Sequence, residues 1–126
     1  MNTRKILLIS DDKELITIVN TSSLTFTKLN CQISLESVSG PDESIEKSKS
    51  VNLDLIIADN DLDGVVMTDL FREIRKSDDS KNKKIICLYS ENKSPEFNRE
   101  EIFSSGCDSI MTKQEFKRVV NNVLLF

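Results

Sequence analysis

Short apolar runs of four to six residues recur along this chain, separated by polar stretches of about helix length, and charged residues collect at the same end of each run. Lys5-Ile-Leu-Leu-Ile-Ser leads into Asp11 and Asp12, Leu53-Asp-Leu-Ile-Ile-Ala into Asp59, and Ser109-Ile-Met-Thr into Lys113. Runs apolar on both faces belong to buried parallel strands joined by crossover helices, so the expected architecture is α/β with a doubly wound sheet. In such sheets ligands bind beyond the carboxyl ends of the strands. Three carboxylates and an amine are therefore expected in one pocket.

Five strand-helix units are read along the chain. The first strand is expected over Lys5 to Ser10, followed by a helix over Lys13 to Leu29 with Leu15, Ile18, Val19, Phe26 and Leu29 on one stripe. The second strand alternates, with Cys31, Ile33 and Leu35 on one face, which suits a sheet edge. Gly40-Pro41-Asp42 then opens a short helix over Glu43 to Ser50. The third strand is Leu53 to Ala58. The helix after it carries Leu70, Phe71 and Ile74 and gives way to the solvated loop Ser77 to Asn82. The fourth strand is Ile85 to Tyr89, and Ser94-Pro95 starts a helix that Gly106 stops. After the short strand Ser109-Ile-Met, Thr112 and Glu115 form a capping-box pair for a last helix whose Phe116, Val119, Val120, Val123 and Leu124 face the core.

At 126 residues the chain fits one domain, read over residues 1–126, large enough to bury a core without disulfides. A net charge of −4 argues against a nucleic-acid surface and for protein or small-ligand partners. Cys31, Cys87 and Cys107 are odd in number and lack C-x-x-C spacing, so they read as reduced packing residues of a cytoplasmic protein. The apolar runs are too short for a bilayer span, and no membrane association is expected. Histidine is absent, which excludes histidine-based hydrolysis, histidine-ligated zinc and a self-contained phosphohistidine relay.

Carboxylates gathered at strand ends repel one another, which raises their pKa or calls in a cation, and an all-oxygen site suits Mg²⁺. Taken singly, the same residues have plainer readings. Asp11 or Asp12 can serve only as a helix N-cap, Lys113 as a solvated surface residue, and Asp61 and Asp63 as loop acids, with Asp61 also placed to tune hydrolysis at Asp59. The string Asp59-Asn-Asp-Leu-Asp-Gly resembles the start of a calcium-binding loop, but the twelfth position, Leu70, is no ligand. The cluster Lys81, Lys83, Lys84 reads as a solvated loop.

As a set, these residues resemble the response-regulator receiver domains of two-component signalling, over essentially the whole chain. Asp11-Asp12 resembles the family's acidic pair, Asp54-Leu-Ile-Ile-Ala-Asp59 its third-strand motif ending on the phosphorylated aspartate, and Lys113 its strand-5 lysine. The spacings, 47 residues from Asp12 to Asp59 and 54 from Asp59 to Lys113, lie within a few residues of the family pattern. The resemblance implies a flavodoxin-like (βα)5 fold with strand order 2-1-3-4-5. It also implies Mg²⁺ held by Asp12 and Asp59, by Asp11 through water and by the backbone carbonyl of Asp61, with Asp59 as phosphoacceptor and Lys113 pairing with the phosphoryl oxygens. The phosphoryl donor would be a sensor histidine kinase or phosphotransfer protein. A downstream protein would bind the fourth helix, fifth strand and fifth helix, roughly Phe97 to Lys117, and the chain would be a monomer or weak dimer. It would turn over no external substrate beyond its own phosphorylation and dephosphorylation.

The chain departs from the pattern at several points. Where the family carries a hydroxyl after strand 4, counting from Asp59 reaches Tyr89, while counting back from Lys113 favours Ser90 or Glu91; Ser90 is preferred because a tyrosine oxygen lies too far from its backbone. Ile110 replaces the switch aromatic and reads as a packing residue, and Lys113-Gln114 replaces the usual Lys-Pro. The loop after Asp59 lacks Met-Pro. A phosphate-independent docking module with the same fold is therefore the alternative reading. A haloacid dehalogenase-like phosphatase, with Asp59 as nucleophile and Asp61 as acid/base, lacks the further acidic motifs it requires.

Overall fold

The computed structural model describes residues 2–26, 31–92 and 98–125. In chain order its elements are β1 (Asn2–Ile9), α1 (Lys13–Thr25), β2 (Cys31–Val38), α2 (Pro41–Ser48), β3 (Leu53–Asp59), α3 (Met67–Lys76), β4 (Lys84–Tyr89), α4 (Arg99–Ser104), β5 (Ser109–Thr112) and α5 (Lys113–Leu125). The five strands form one sheet in the order β2-β1-β3-β4-β5, with every neighbouring pair parallel. This is the doubly wound flavodoxin-like (βα)5 fold expected from the sequence.

The apolar runs of β1 and β3 are buried on both faces because helices cover both. Ile6, Leu8, Leu55 and Ile57 pack with Leu15 and Val19 of α1 and Phe116 and Leu124 of α5. The alternate residues Leu7, Ile9, Ile56 and Ala58 pack with Met67, Leu70, Phe71 and Ile74 of α3 and Ile102 of α4. Phe71 and Phe116, each fully buried, anchor the two layers, and removing such a ring costs about 3–5 kcal/mol. On edge strand β2, Cys31, Ile33 and Leu35 turn to the α1 and α5 layer.

Several boundaries differ from the pattern. β1 begins at Asn2, outside the apolar run, because Asn2, Thr3 and Arg4 pair with Cys31, Gln32 and Ile33 of β2. α2 starts at Pro41, after Gly40 as N-cap, and ends at Ser48. α1 is described as far as Thr25, with Phe26 as its C-cap; Leu29 lies outside the described residues, as do Ser94 and Pro95. The described start of α4 is Asn98, whose side chain accepts the Glu101 N–H. The α3–β4 loop is not wholly solvated, since Ser80 is buried and its hydroxyl donates to the Ile74 carbonyl at 2.5 Å. Val119 of α5 is exposed rather than facing the core, whereas Val120 and Val123 pack against it.

The start of α5 bears on the site. Thr112 Oγ1 accepts the Glu115 N–H at 3.1 Å, as a capping box requires, while the Glu115 carboxylate pairs with the Thr112 hydroxyl at 3.3 Å. Lys113 is thereby fixed as the first residue of α5, at the sheet's carboxyl edge.

Candidate functional site

Parallel register brings the strand ends together. Ile9 pairs with Ala58, Asp59 with Leu88, Leu88 with Met111 and Tyr89 with Thr112. Ser10, Asp59, Ser90 and Lys113 therefore reach the same rim from four different strands.

Lys113 stands at the centre. Its Nζ lies 3.0 Å from Asp12 Oδ2, 3.0 Å from Asp59 Oδ2 and 3.1 Å from Asp61 Oδ2, and its side chain is only 9% exposed. A lysine at the first position of a helix is disfavoured by the positive end of the helix dipole. The three carboxylates supply the opposing field. Burial lowers the Lys113 pKa, but the hydrogen bonds to Asp59 and Asp12, the Asp59 charge and the Asp61 bond outweigh it, leaving the ammonium well above its ordinary value.

Asp12 performs two tasks at once. Its Oδ1 caps α1 by accepting the Glu14 and Leu15 N–H groups at 3.1 and 3.2 Å, and its Oδ2 pairs with Lys113. Burial pushes the carboxyl up, yet the Lys113 bond and charge and the two amides carry its pKa below the ordinary value. The N-cap reading of the acidic pair thus holds for Asp12, which at the same time faces Lys113, while Asp11 lies exposed at the rim.

Asp59 is 1% exposed. Its Oδ1 accepts the Asp61 N–H at 2.9 Å, and its Oδ2 accepts the Ser10 hydroxyl at 2.6 Å in addition to the Lys113 pairing. Ser10 was not singled out by sequence reasoning. It sits where the apolar run of β1 ends, and a hydroxyl in place of another apolar residue directly before the acidic pair was the available signal. The reading of Asp61 as a loop acid is also corrected. Its carboxylate turns inward, where the loop backbone folds over Asp59 and Lys113 draws it in, while Asp63 is exposed.

Tyr89 and Ser90 both line a cleft of about 440 Å³ together with Asp12 and Lys113. The Ser90 N–H points to Asp61 Oδ1 at 3.4 Å, and the Arg99 guanidinium stands 5.9 Å from the centre of the Tyr89 ring. Ile110 is half-buried against the α3 and α4 layer, as a packing residue would be. Gln114 is exposed.

Among the described residues, no three or more His, Cys, Asp or Glu side chains are spaced to enclose an ion as they stand. The donor chemistry nevertheless fits a hard divalent cation. Three carboxylates around a single ammonium leave two negative charges uncompensated, and all the donors are oxygens. Among the described residues no helix is long and apolar enough to cross a membrane.

No protein-family model matches the sequence, and no curated protein matches it either. Solved structures do match the fold. The receiver domain of the sensor histidine kinase PA1611 from Pseudomonas aeruginosa PAO1, solved with a magnesium ion coordinated in its active-site cleft, superposes with a TM-score of 0.73 at 20% identity, covering 97% of this chain and 94% of that one. The chemotaxis response regulator CheY4 of Vibrio cholerae gives 0.77 at 17% identity, covering 98% of each chain. The receiver domain of Ssk1 from Saccharomyces cerevisiae, crystallised with the histidine phosphotransfer protein Ypd1, gives 0.74 at 17% identity over 98% of this chain and 87% of that one. These likenesses run the length of the chain, and the chain has the fold of the response-regulator receiver domains.

Proposed function

We propose that this protein is a phosphoacceptor receiver domain in which Asp59 takes a phosphoryl group and thereby changes the affinity of the chain for a protein partner. The observation that carries the reading is the convergence of Asp12, Asp59 and Asp61 on Lys113 at the carboxyl edge of the sheet. Among the described residues Asp59 Oδ1 has a single hydrogen-bond donor, the Asp61 amide, and is the oxygen available to attack phosphorus; the phosphoryl donor's leaving group departs with the electron pair of the broken bond. Phosphoryl transfer is mainly positioning and electrostatic stabilisation. Here positioning falls to the Asp61 amide, which fixes the Asp59 carboxylate, and Lys113 is within reach to neutralise the incoming phosphoryl oxygens. Asp12 and Asp59, with Asp11 through water and the Asp61 backbone carbonyl, would hold Mg²⁺, which supplies charge neutralisation between carboxylate and phosphoryl group. The hydroxyl from β4 is assigned to Ser90, with Tyr89 beside it at the cleft.

The donor is proposed to be a phosphohistidine on a sensor kinase or phosphotransfer protein, since this chain contains no histidine. The partner surface is assigned to α4, β5 and α5, where Phe103 and Val119 are exposed; Phe97 lies outside the described residues. A cytoplasmic setting agrees with three free, buried cysteines.

The triple pairing of Lys113 favours one second reading, in which the ammonium permanently compensates the carboxylates and the fold docks a partner without phosphate control. Intact mass after incubation with Mg²⁺ and acetyl phosphate separates the two. One phosphoryl group on the wild type and none on Asp59→Ala is expected. An unmodified wild type under conditions where Mg²⁺ binds would overturn the phosphoacceptor reading in favour of the docking module.

A further inference from the structure

Ser10 occupies a place with only one use for its proton. Its backbone N–H donates to the Val38 carbonyl at 2.9 Å, which fixes the residue beside β2, and the side chain is buried. Its Oγ accepts the Asp12 N–H at 3.0 Å, so the hydroxyl proton is directed to Asp59 Oδ2, 2.6 Å away. A buried hydrogen bond to a carboxylate is among the stronger ones, roughly twice a neutral pair. Oδ2 also has Lys113 as a partner, but that ammonium divides itself among three carboxylates. Ser10 is the donor committed to Oδ2.

We infer that Ser10 sets the lifetime of the phosphorylated state by stabilising the Asp59 carboxylate as a leaving group; this rests on the phosphoacceptor reading of Asp59. Attack from Oδ1 leaves Oδ2 as the carbonyl oxygen of an acyl phosphate, a weak acceptor for the Ser10 hydroxyl. In hydrolysis, water oxygen bonds to phosphorus, the P–Oδ1 bond breaks, its electron pair returns to the carboxylate, and both water protons leave with inorganic phosphate. The transition state of phosphoryl transfer is loose, so the bond to the leaving group is largely broken and carboxylate charge has already reappeared across Oδ1 and Oδ2. The Ser10 bond therefore strengthens on the way to that transition state and speeds dephosphorylation. In the forward direction the bond to the nucleophile has barely formed. The carboxylate keeps its charge, and with it the Ser10 bond, so the forward rate is affected far less. One hydroxyl thus acts asymmetrically on the two directions, shortening the mark without slowing its acquisition.

The test compares wild type, Ser10→Ala and Ser10→Thr, each loaded with acetyl phosphate and Mg²⁺, freed of donor and followed by intact mass, alongside the initial loading rate and the Asp59 carboxyl carbon resonance of the unloaded proteins. Ser10→Ala is expected to lengthen the lifetime about tenfold with a loading rate within about a factor of two of wild type, and to move the Asp59 resonance. Ser10→Thr, which keeps the hydroxyl, is expected to restore both lifetime and resonance. A structural role alone would change loading and lifetime together. Equal lifetimes in wild type and Ser10→Ala, or a Thr variant that behaves like Ala while folded, would overturn the assignment to Ser10 and leave Asp59 as acceptor. A wild type that accepts no phosphoryl group would overturn both.

Discussion

Lys113 Nζ stands 3.1 Å from Asp61 Oδ2, joining the first residue of α5 to a buried carboxylate in the loop that follows β3. With Asp12 and Asp59 it forms a four-residue charge cluster in which one cation serves three anions. Removing that cation leaves Asp59 and Asp61 buried beside each other without compensation, a class of change that costs about 3–5 kcal/mol. Lys113→Met is therefore expected to destabilise the fold on that scale in urea titrations without divalent cations. Mg²⁺ is expected to raise the melting temperature of the variant more than that of wild type. A variant as stable as wild type in chelator would contradict this account of the cluster.

The same cluster sets a pH dependence at both limits. The folded-state pKa of Asp12 lies below its ordinary value of 3.8, so its contribution to stability is fully present above that value and is lost as pH falls through the folded value. The folded-state pKa of Lys113 lies above its ordinary 10.5, so its contribution is fully present below 10.5 and is lost as pH rises through the folded value. Asp12→Asn keeps an N-cap acceptor while removing the charge. Urea midpoints of wild type are expected to fall more steeply than those of Asp12→Asn below about pH 4, and parallel curves would remove Asp12 from the acid limb.

The sheet was legible because its central strands β1, β3 and β4 are apolar at successive positions rather than alternate ones, and because the charges of Asp11, Asp12, Asp59 and Lys113 all stand at or just past a strand end. Residues whose role depends on where a loop backbone turns were not legible. Asp61 looks like any loop acid until the chain folds back over Asp59, and Ser10 looks like the ordinary end of a strand until its proton is traced to Asp59. Strand ends were misplaced where tertiary pairing decides them, as at Asn2, which is a strand residue only because β2 lies beside it. Val119 fits the apolar period of α5, but the covered stripe is narrower than that period and leaves it exposed.

Gly106 adopts φ +120°, and a Cβ there would stand 2.6 Å from Arg75 Cγ. Arg75 is poorly placed to yield, because its guanidinium donates to the carbonyls of Gly106, Lys81 and Lys83 and pairs with Asp108 at 2.9 Å. This clasp ties α3 to the turns before β4 and β5, at the end of the sheet away from Asp59. Gly106→Ala combines backbone strain with displacement of Arg75 and is expected to cost about 2 kcal/mol, read as a lower urea midpoint. Phosphoryl acceptance at Asp59 should survive wherever the variant is folded. An unchanged midpoint would mean that Arg75 moves aside without loss.

Cys87 and Cys107 lie together in the layer beneath α3 and α4, and Cys107 Sγ also faces the Ser109 carbonyl at 2.9 Å. The bond with Cys107 and burial both push the Cys87 thiol well above its ordinary value. Since thiolate is the reactive form, Cys87 is doubly protected, by access and by protonation. Cys31 differs, being the first residue of edge strand β2 and 8% exposed. Strand ends open locally at far lower free energy than a central strand, whose opening approaches global unfolding. Alkylation of the native protein near neutral pH is therefore expected to mark Cys31 first. Cys87 and Cys107 should follow only as urea brings the chain into its unfolding transition, with their rates tracking the unfolded fraction. Labelling of Cys87 in the absence of denaturant at the rate found for the unfolded chain would show that β4 is open to solvent, contrary to its place between β3 and β5.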